Sequence, residues 1–206
     1  MRILIGISLF FSTALFAQTD SENSVPKASF VLKINGVEYY LSDGETLQLD
    51  STYVNPKVTV RMSEYRRFES DAMSFDYPNH FAYQYEQDFG YRNWTLDGNN
   101  FVIMYFEIDG EAGLDMFVDE MVKQFGKQNC KLKNTTMILG DQKLQGKRID
   151  ISLIGQRLTL DFMEIKLNDF KSHFIAFQDT LDEYGQPTDE SKATLELIDG
   201  TIRYKE

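Results

Sequence analysis

Apolar residues recur at every second position in the segment "SFVLKINGVEYYL", which spans residues 29–41. The alternation is interrupted at Asn35-Gly36, and this dipeptide between two alternating runs is the strongest short signal for a β-hairpin. A second turn is indicated at Asp43-Gly44, before "TLQL", and the alternation returns in "KVTVRM". We therefore predict a small N-terminal β unit of about four strands over residues 28–63.

The charged segment "SEYRRFES", residues 63–70, separates this unit from the main body, where period two resumes in "MSFDYPNHFAYQY". The run "FVIMYFEI", residues 101–108, is apolar at the positions of both strand faces, which is typical of a central strand covered on both sides. Burial of one large aromatic side chain contributes roughly 1.5–3 kcal/mol. We therefore expect most aromatic residues of the first strands to be core, namely Phe75, Tyr77, Phe81, Tyr83 and Tyr85.

One helical stripe is clear in the first half of the chain. From Leu114 to Phe125 the apolar residues are spaced by three and one, and acidic residues precede lysines along the segment, matching the helix dipole. Four β segments follow, joined by turns so short that neighbouring strands must be antiparallel. They are predicted near residues 131–139, 143–154, 157–167 and 170–179.

A C-terminal helix is predicted after the acidic loop "DTLDEYGQPTDE". Leu195, Ile198 and Ile202 share one face of this helix, and Gly200 weakens its last turn by roughly 1 kcal/mol relative to alanine. The order of strands, helix, antiparallel strands and closing helix predicts an α+β fold in which helices flank an antiparallel sheet.

The element order of residues 68–206 resembles the PsbP-like fold, which is named for an extrinsic protein of photosystem II and recurs in exported bacterial proteins. The matching features are "MSFDYP" at the opening of a strand, "NWTL" and "FVIMYFEI", the helix near "GLDMFVDEMVKQF", the four antiparallel strands and the terminal "ATLELIDGTIRY" helix. The resemblance implies an α/β/α sandwich and a non-catalytic accessory or scaffold role beside a larger assembly. Residues 28–63 lie outside it.

The N-terminus "MRILIGISLFFSTALFA", residues 1–17, has a basic start, an apolar run and a small last residue, as a secretory signal peptide does. The apolar run is shorter than the roughly 20 residues that span a bilayer, and no cysteine near Ala17 could carry a lipid. Residues 18–27 are polar and predicted to form a flexible leader. We expect a periplasmic or secreted protein that is not inserted in a membrane after cleavage.

Charge and cysteine content exclude several classes of function. The chain has 32 acidic and 21 basic residues and a net charge of −11 at pH 7, which disfavours nucleic acid as a partner. Cys130 is the only cysteine, so neither an internal disulfide nor a zinc site of paired cysteines is available. His80 and His173 do not form a H-x-x-x-H pattern, and we predict no metal and no cofactor.

Catalytic motifs are also missing from the sequence. The segment "GDQKLQGKR" has five residues between Gly140 and Gly146 where a phosphate-binding loop has four, and Arg148 stands in place of its Ser or Thr. A strand-turn-strand structure explains this segment better. We therefore predict no catalytic residues and a protein that is not an enzyme. The acidic loop, residues 179–190, lacks the spacing of a calcium loop, although the sequence leaves calcium binding open.

Three aromatic residues are candidates for contact with a partner or ligand. In "QDFGYRNW" the alternation breaks around Gly90, so Phe89, Tyr91 and Trp94 are the aromatic residues expected to be exposed. The favoured function is a non-enzymatic accessory or scaffold protein bound to protein partners in a cell-envelope, outer-membrane complex. The alternatives are a small-molecule or carbohydrate-binding module that uses these aromatics, and a hydrolase with an unrecognised pair of carboxylates.

Overall fold

The computed structural model describes residues 26, 28–50 and 52–205, and this part of the chain forms thirteen β-strands and two α-helices. The strands are β1 (Ser29–Ile34), β2 (Val37–Ser42), β3 (Val58–Met62), β4 (Tyr65–Glu69), β5 (Met73–Pro78), β6 (Ala82–Asp88), β7 (Tyr91–Asp97), β8 (Phe101–Asp109), β9 (Cys130–Leu139), β10 (Gln142–Leu153), β11 (Gln156–Ile165), β12 (Lys171–Thr180) and β13 (Arg203–Tyr204). The helices are α1 (Leu114–Phe125) and α2 (Asp189–Thr201). The predicted signal peptide and nearly all of the predicted leader lie outside the described residues.

The strands form three antiparallel sheets. The largest has seven strands in the order β6-β7-β8-β12-β11-β10-β9. A second sheet has the order β13-β5-β4, and the N-terminal strands form a third with the order β2-β1-β3. Together with the two helices, these sheets confirm the predicted α+β class.

Two hydrophobic cores lie on the two faces of the seven-stranded sheet, and alternate residues of the interior strand β8 belong to each. Phe106 belongs to the core under α1, which also contains Val118. Tyr105 belongs to the core on the opposite face, where α2 supplies Ile198 and the β13-β5-β4 sheet supplies Phe75. The predicted two-sided coverage of this strand is therefore confirmed, with one helix on each face of the sheet.

The aromatic core predicted from period two is confirmed. Phe75, Tyr77 and Phe81 are buried, and Tyr83 and Tyr85 pack against the same core in half-buried positions. One detail differs, because β6 begins at Ala82 and Phe81 therefore lies in the turn before the strand.

The N-terminal sheet has three strands rather than four. The hairpin at Asn35-Gly36 is confirmed, since both residues have a positive φ, 48° and 94°, as a two-residue hairpin turn of type I′ requires. The predicted strand "TLQL" is wrong, because residues 46–49 pair with neither outer edge of this sheet, which consists of β2, β1 and β3 alone.

The charged segment 63–70 is not a separator but contains the strand β4. Phe68 is buried and its ring stacks on that of Phe75 in the neighbouring strand, with ring centroids 4.7 Å apart. Arg67 and Asp76 form an ion pair of 2.8 Å on the same pair of strands. The sequence pattern does not predict this strand, because one buried apolar residue between charged residues does not form a detectable alternation.

The C-terminal helix ends earlier than the sequence suggests. α2 ends at Thr201, and Arg203–Tyr204 pairs as β13 with Ser74 and Met73. Strand pairing gives the last backbone N–H and C=O groups hydrogen-bond partners. In a fraying helical turn the same groups would be left to solvent. The predicted helix face is otherwise confirmed, since Ile198 and Ile202 are buried in one core.

Candidate functional site

Three turns of the chain meet at one end of the seven-stranded sheet. Gly90 adopts a positive φ of 73° that closes the β6–β7 turn, and its carbonyl oxygen accepts a hydrogen bond from the Asp109 N–H at 2.9 Å. The next residue, Gly110, donates its N–H to the carbonyl of Phe170 in the β11–β12 loop at 3.1 Å. Backbone hydrogen bonds therefore fix the three turns to one another.

A pocket of about 210 Å³ lies at this end of the sheet, and we call it the charged pocket. Its lining consists of Gln87, Asp88, Gly90, Tyr91, Arg92, Glu107, Asp109 and Lys171. The strand register explains how distant residues meet here. Arg92 on β7 lies opposite Glu107 on β8, and Glu107 lies opposite His173 on β12, which places Lys171 on the same face of the sheet.

Glu107 is the centre of the charged pocket. Its side chain is only 2% exposed, and its Oε1 accepts hydrogen bonds from Arg92 Nη2 and Lys171 Nζ. Arg92 also binds Asp71 at 3.3 Å. The other carboxylate oxygen, Oε2, is buried and has no hydrogen-bond partner among the described residues. A buried acceptor without a partner costs roughly 1–3 kcal/mol, so a group that donated a hydrogen bond to Oε2 would stabilise this arrangement.

A hydrogen-bonded chain of three side chains lies beside Glu107, with Tyr105 and His173 buried and the third, Asp169, exposed. His173 Nδ1 is 2.7 Å from the Tyr105 hydroxyl, and His173 Nε2 is 2.8 Å from Asp169 Oδ2. This order resembles the acid, histidine and nucleophile of hydrolases. However, Tyr105 and His173 are both 1% exposed, and burial raises the pKa of the Tyr105 phenol far above its usual value. In this conformation the hydroxyl is neither ionised at neutral pH nor within reach of a substrate.

The structure separates the three aromatic residues expected to be exposed. Phe89 is fully exposed at the tip of the β6–β7 turn. Tyr91 is half-buried beside Phe106, with ring centroids 6.4 Å apart. Trp94 is buried, contrary to expectation, because it lies inside β7 and its ring stacks on that of Tyr105 at 5.2 Å.

Phe170 is a second fully exposed aromatic residue, which the sequence pattern did not indicate. It lies in the β11–β12 loop, one residue before Lys171, whereas the sequence placed it at the start of a strand. Phe89 and Phe170 are thus both at the end of the sheet that carries the charged pocket. The available signal was the Asn168-Asp169 pair before Phe170, which is typical of a turn.

A second candidate surface is one face of the N-terminal sheet. The register aligns nine apolar side chains on this face, and we call it the N-terminal apolar face. They are Phe30, Leu32, Ile34, Val37, Tyr39, Leu41, Val58, Val60 and Met62. Tyr53 covers one side of it, since its hydroxyl lies 3.4 Å from that of Tyr39. The β3 side stays open, with Val60 64% and Met62 55% exposed.

The carboxylates of the acidic loop mostly bind within the loop or to adjacent elements. Asp179 accepts hydrogen bonds from the Thr188 and Ser191 hydroxyls at 2.8 and 2.7 Å, which fastens the start of α2 to the end of β12. Asp182 accepts the backbone N–H groups of Tyr184 and Gln186 within its own turn. Among the described residues, no three or more His, Cys, Asp or Glu side chains form a group that could hold a metal ion.

Glu190 connects α2 to the β7–β8 turn and is expected to make stability depend on pH. Its carboxylate lies 2.9 Å from His80 Nε2 and accepts the backbone N–H groups of Asn99 and Asn100 at 3.1 and 2.5 Å. Burial alone would raise the pKa of Glu190, but these hydrogen bonds outweigh burial and lower the pKa below its ordinary value of 4.5. Because the folded-state pKa is lowered, the carboxylate stabilises the fold above about pH 4.5, and this stability is lost as pH falls further.

Replacement of Glu190 by Gln is therefore expected to lower the free energy of unfolding by about 1–2 kcal/mol at pH 7. The difference from the wild-type protein should shrink as the pH falls below 4.5. Urea unfolding at a series of pH values measures this. Glu196→Gln, at an exposed position of the same helix, is the control and should change little at any pH. A deficit for Glu190→Gln that is constant with pH would contradict the ionic role.

Comparison with known proteins does not assign this chain to a family: no protein-family model and no curated protein matches it. Over the described residues, neither helix is both long and apolar enough to cross a bilayer. What the geometry defines is an α+β protein with two candidate surfaces, the charged pocket and the N-terminal apolar face.

Proposed function

We propose that this protein is a non-enzymatic, exported accessory protein that binds a partner protein of an envelope complex through its N-terminal apolar face. The observation that carries the proposal is the open β3 side of this face, where Val58, Val60 and Met62 are all about half exposed or more. A contiguous exposed apolar patch of this kind marks an interaction surface more often than isolated apolar residues do. The predicted signal peptide and the PsbP-like resemblance of residues 68–206 support the same role.

The strand arrangement favours an extended segment of the partner as the occupant. β3 pairs only with β1, so the backbone groups on its other edge have no strand partner in the described part of the chain. An added strand would pair with this edge and would continue the apolar row, which is the mode of recognition called β-augmentation. Arg61 lies on the opposite face of β3, where it forms ion pairs with Glu38 and Glu64. Its charge is therefore directed away from the apolar row.

Crosslinking in the native envelope, followed by mass spectrometry of the adducts, tests this proposal. Val60→Glu should reduce the yield of the partner adduct about tenfold, because a charge would be buried without a partner in the complex. Thr59→Glu is the matched control, since Thr59 is exposed on the opposite face of the same strand and receives the same added charge. It should keep the wild-type yield.

Three outcomes would overturn the proposal. The first is equal adduct yield for the two variants, which would place the partner elsewhere on the molecule. The second is an adduct consisting of two copies of this chain, which would make the face a homodimer interface. The third is the wild-type protein recovered alone after crosslinking.

A further inference from the structure

The charged pocket has a different chemistry from the N-terminal apolar face and shares no residue with it. We propose that the charged pocket binds one ring of a neutral, hydroxyl-rich ligand, that is, a sugar. The pocket volume of about 210 Å³ is below the roughly 300–1,000 Å³ of sites for drug-sized molecules, so a single ring is the appropriate size.

The charges of the lining favour a neutral ligand. The carboxylates of Asp88, Glu107 and Asp109 would repel an anion, and the cations that could attract an anion are already bound to Glu107. A cation would in turn meet Arg92 and Lys171 in the wall of the pocket. A hydroxyl group both donates and accepts hydrogen bonds, so several hydroxyls on one ring satisfy carboxylates and N–H groups together.

Glu107 provides the specific acceptor. Its Oε2 is buried without a hydrogen-bond partner, while Oε1 is occupied by both cations. Glu107 lines the pocket, so a small side-chain movement that turned Oε2 toward a ligand hydroxyl would give this atom its missing donor. Arg92 and Lys171 each retain N–H groups that can donate to the oxygens of the same ligand, because a guanidinium carries five donors and an ammonium three.

Two exposed phenyl rings adjoin the lining of the pocket along the chain without being lining residues themselves, and the proposal assigns them the apolar part of the site. Phe89 is 103% exposed and lies between the lining residues Asp88 and Gly90, and Phe170 is 98% exposed and adjoins the lining residue Lys171. The C–H groups of a sugar ring form an apolar surface that can lie on the negatively polarised face of a phenyl ring. Carboxylates and cations in the pocket, with exposed rings beside it, thus match the polar edge and the apolar face of a sugar.

Ligand-detected NMR by saturation transfer tests the site with glucose, galactose and N-acetylglucosamine as the ligands. At least one of these sugars should bind the wild-type protein. Phe89→Ala and Phe170→Ala should each weaken the binding of that sugar about tenfold. Both side chains are fully exposed, so the melting temperature of the unliganded protein should not change. Tyr184→Ala is the matched control, because Tyr184 is an exposed aromatic whose neighbours in the chain do not line the pocket, and this variant should bind as the wild-type protein does.

Glu107→Gln measures the contribution of the Glu107 carboxylate to sugar binding, apart from the contribution of the two phenyl rings. This variant keeps the shape of the side chain but replaces one acceptor oxygen with an NH2 donor and removes the negative charge, so sugar binding should fall further than in either phenylalanine variant. The proposal is overturned if none of the three sugars gives saturation transfer, or if their signals are equal in the wild-type and both alanine variants. Binding of acetate or methylammonium in place of the sugars would also overturn it. These results are independent of crosslinking at the N-terminal apolar face.

Discussion

Gly146→Ala is expected to lower the free energy of unfolding by about 3 kcal/mol or more, although it adds a single methyl group. Gly146 lies inside β10, opposite Met163 of β11. A Cβ at this position would lie 2.1 Å from the Phe162 carbonyl oxygen and 2.4 Å from the Met163 sulfur. The methionine could move, but the carbonyl oxygen belongs to the paired strand, so relief of the overlap requires β10 and β11 to separate.

Thermal unfolding followed by the fluorescence of Trp94, the only tryptophan, measures this effect. The melting temperature should fall by roughly 6 °C or more in a chain of this size. Gly200→Ala is the matched control, because no atom lies within 4 Å of its added Cβ and the residue lies inside α2. It should stabilise the protein by about 0.5–1 kcal/mol. A Gly146→Ala protein as stable as the wild type would contradict the close approach of β10 and β11.

Gly146 also illustrates how far the sequence could predict the fold. The comparison of "GDQKLQGKR" with a phosphate-binding loop failed on spacing, and the predicted strand-turn-strand is confirmed by the pairing of β9 with β10. Local patterns were sufficient for the hairpin at Asn35-Gly36, the helix Leu114–Phe125 and the central strand. They failed where tertiary pairing decides the structure, as in β4, whose one buried residue is Phe68.

The charged pocket could not be predicted from the sequence for a related reason. Arg92 and Glu107 are 15 residues apart, and Lys171 is 64 residues from Glu107. They meet because β8 pairs with β7 on one side and with β12 on the other, and periodicity does not state which strands are neighbours. Glu107 follows six apolar or aromatic residues in "FVIMYFEI", and this pattern does not distinguish a buried glutamate from one at a strand end in solvent.

Arg148→Met is expected to cost about 3–5 kcal/mol, because it leaves the carboxylate of Asp161 buried without a charge partner. Arg148 Nε and Nη2 donate one hydrogen bond to each oxygen of Asp161, which lies directly opposite on β11. The two ends of this pair differ in exposure: the Asp161 side chain is 7% exposed and the Arg148 side chain 35%. Asp161→Leu should therefore cost less, since the arginine that remains can reach solvent.

The double variant Arg148→Met/Asp161→Leu tests whether the ion pair stabilises the fold more than two apolar side chains would, or whether its attraction only offsets the desolvation of the two charges. Replacement of both charges by apolar side chains of similar size is often neutral or stabilising, so the double variant should be within about 1 kcal/mol of the wild type. Urea unfolding at pH 7 of the four proteins gives the coupling energy as the departure from additivity. Additive costs in the double variant would mean that the two side chains act separately, contrary to their bidentate geometry. Near-wild-type stability would instead show that each charge mainly offsets the unfavourable burial of the other, and that two apolar side chains stabilise the core equally well.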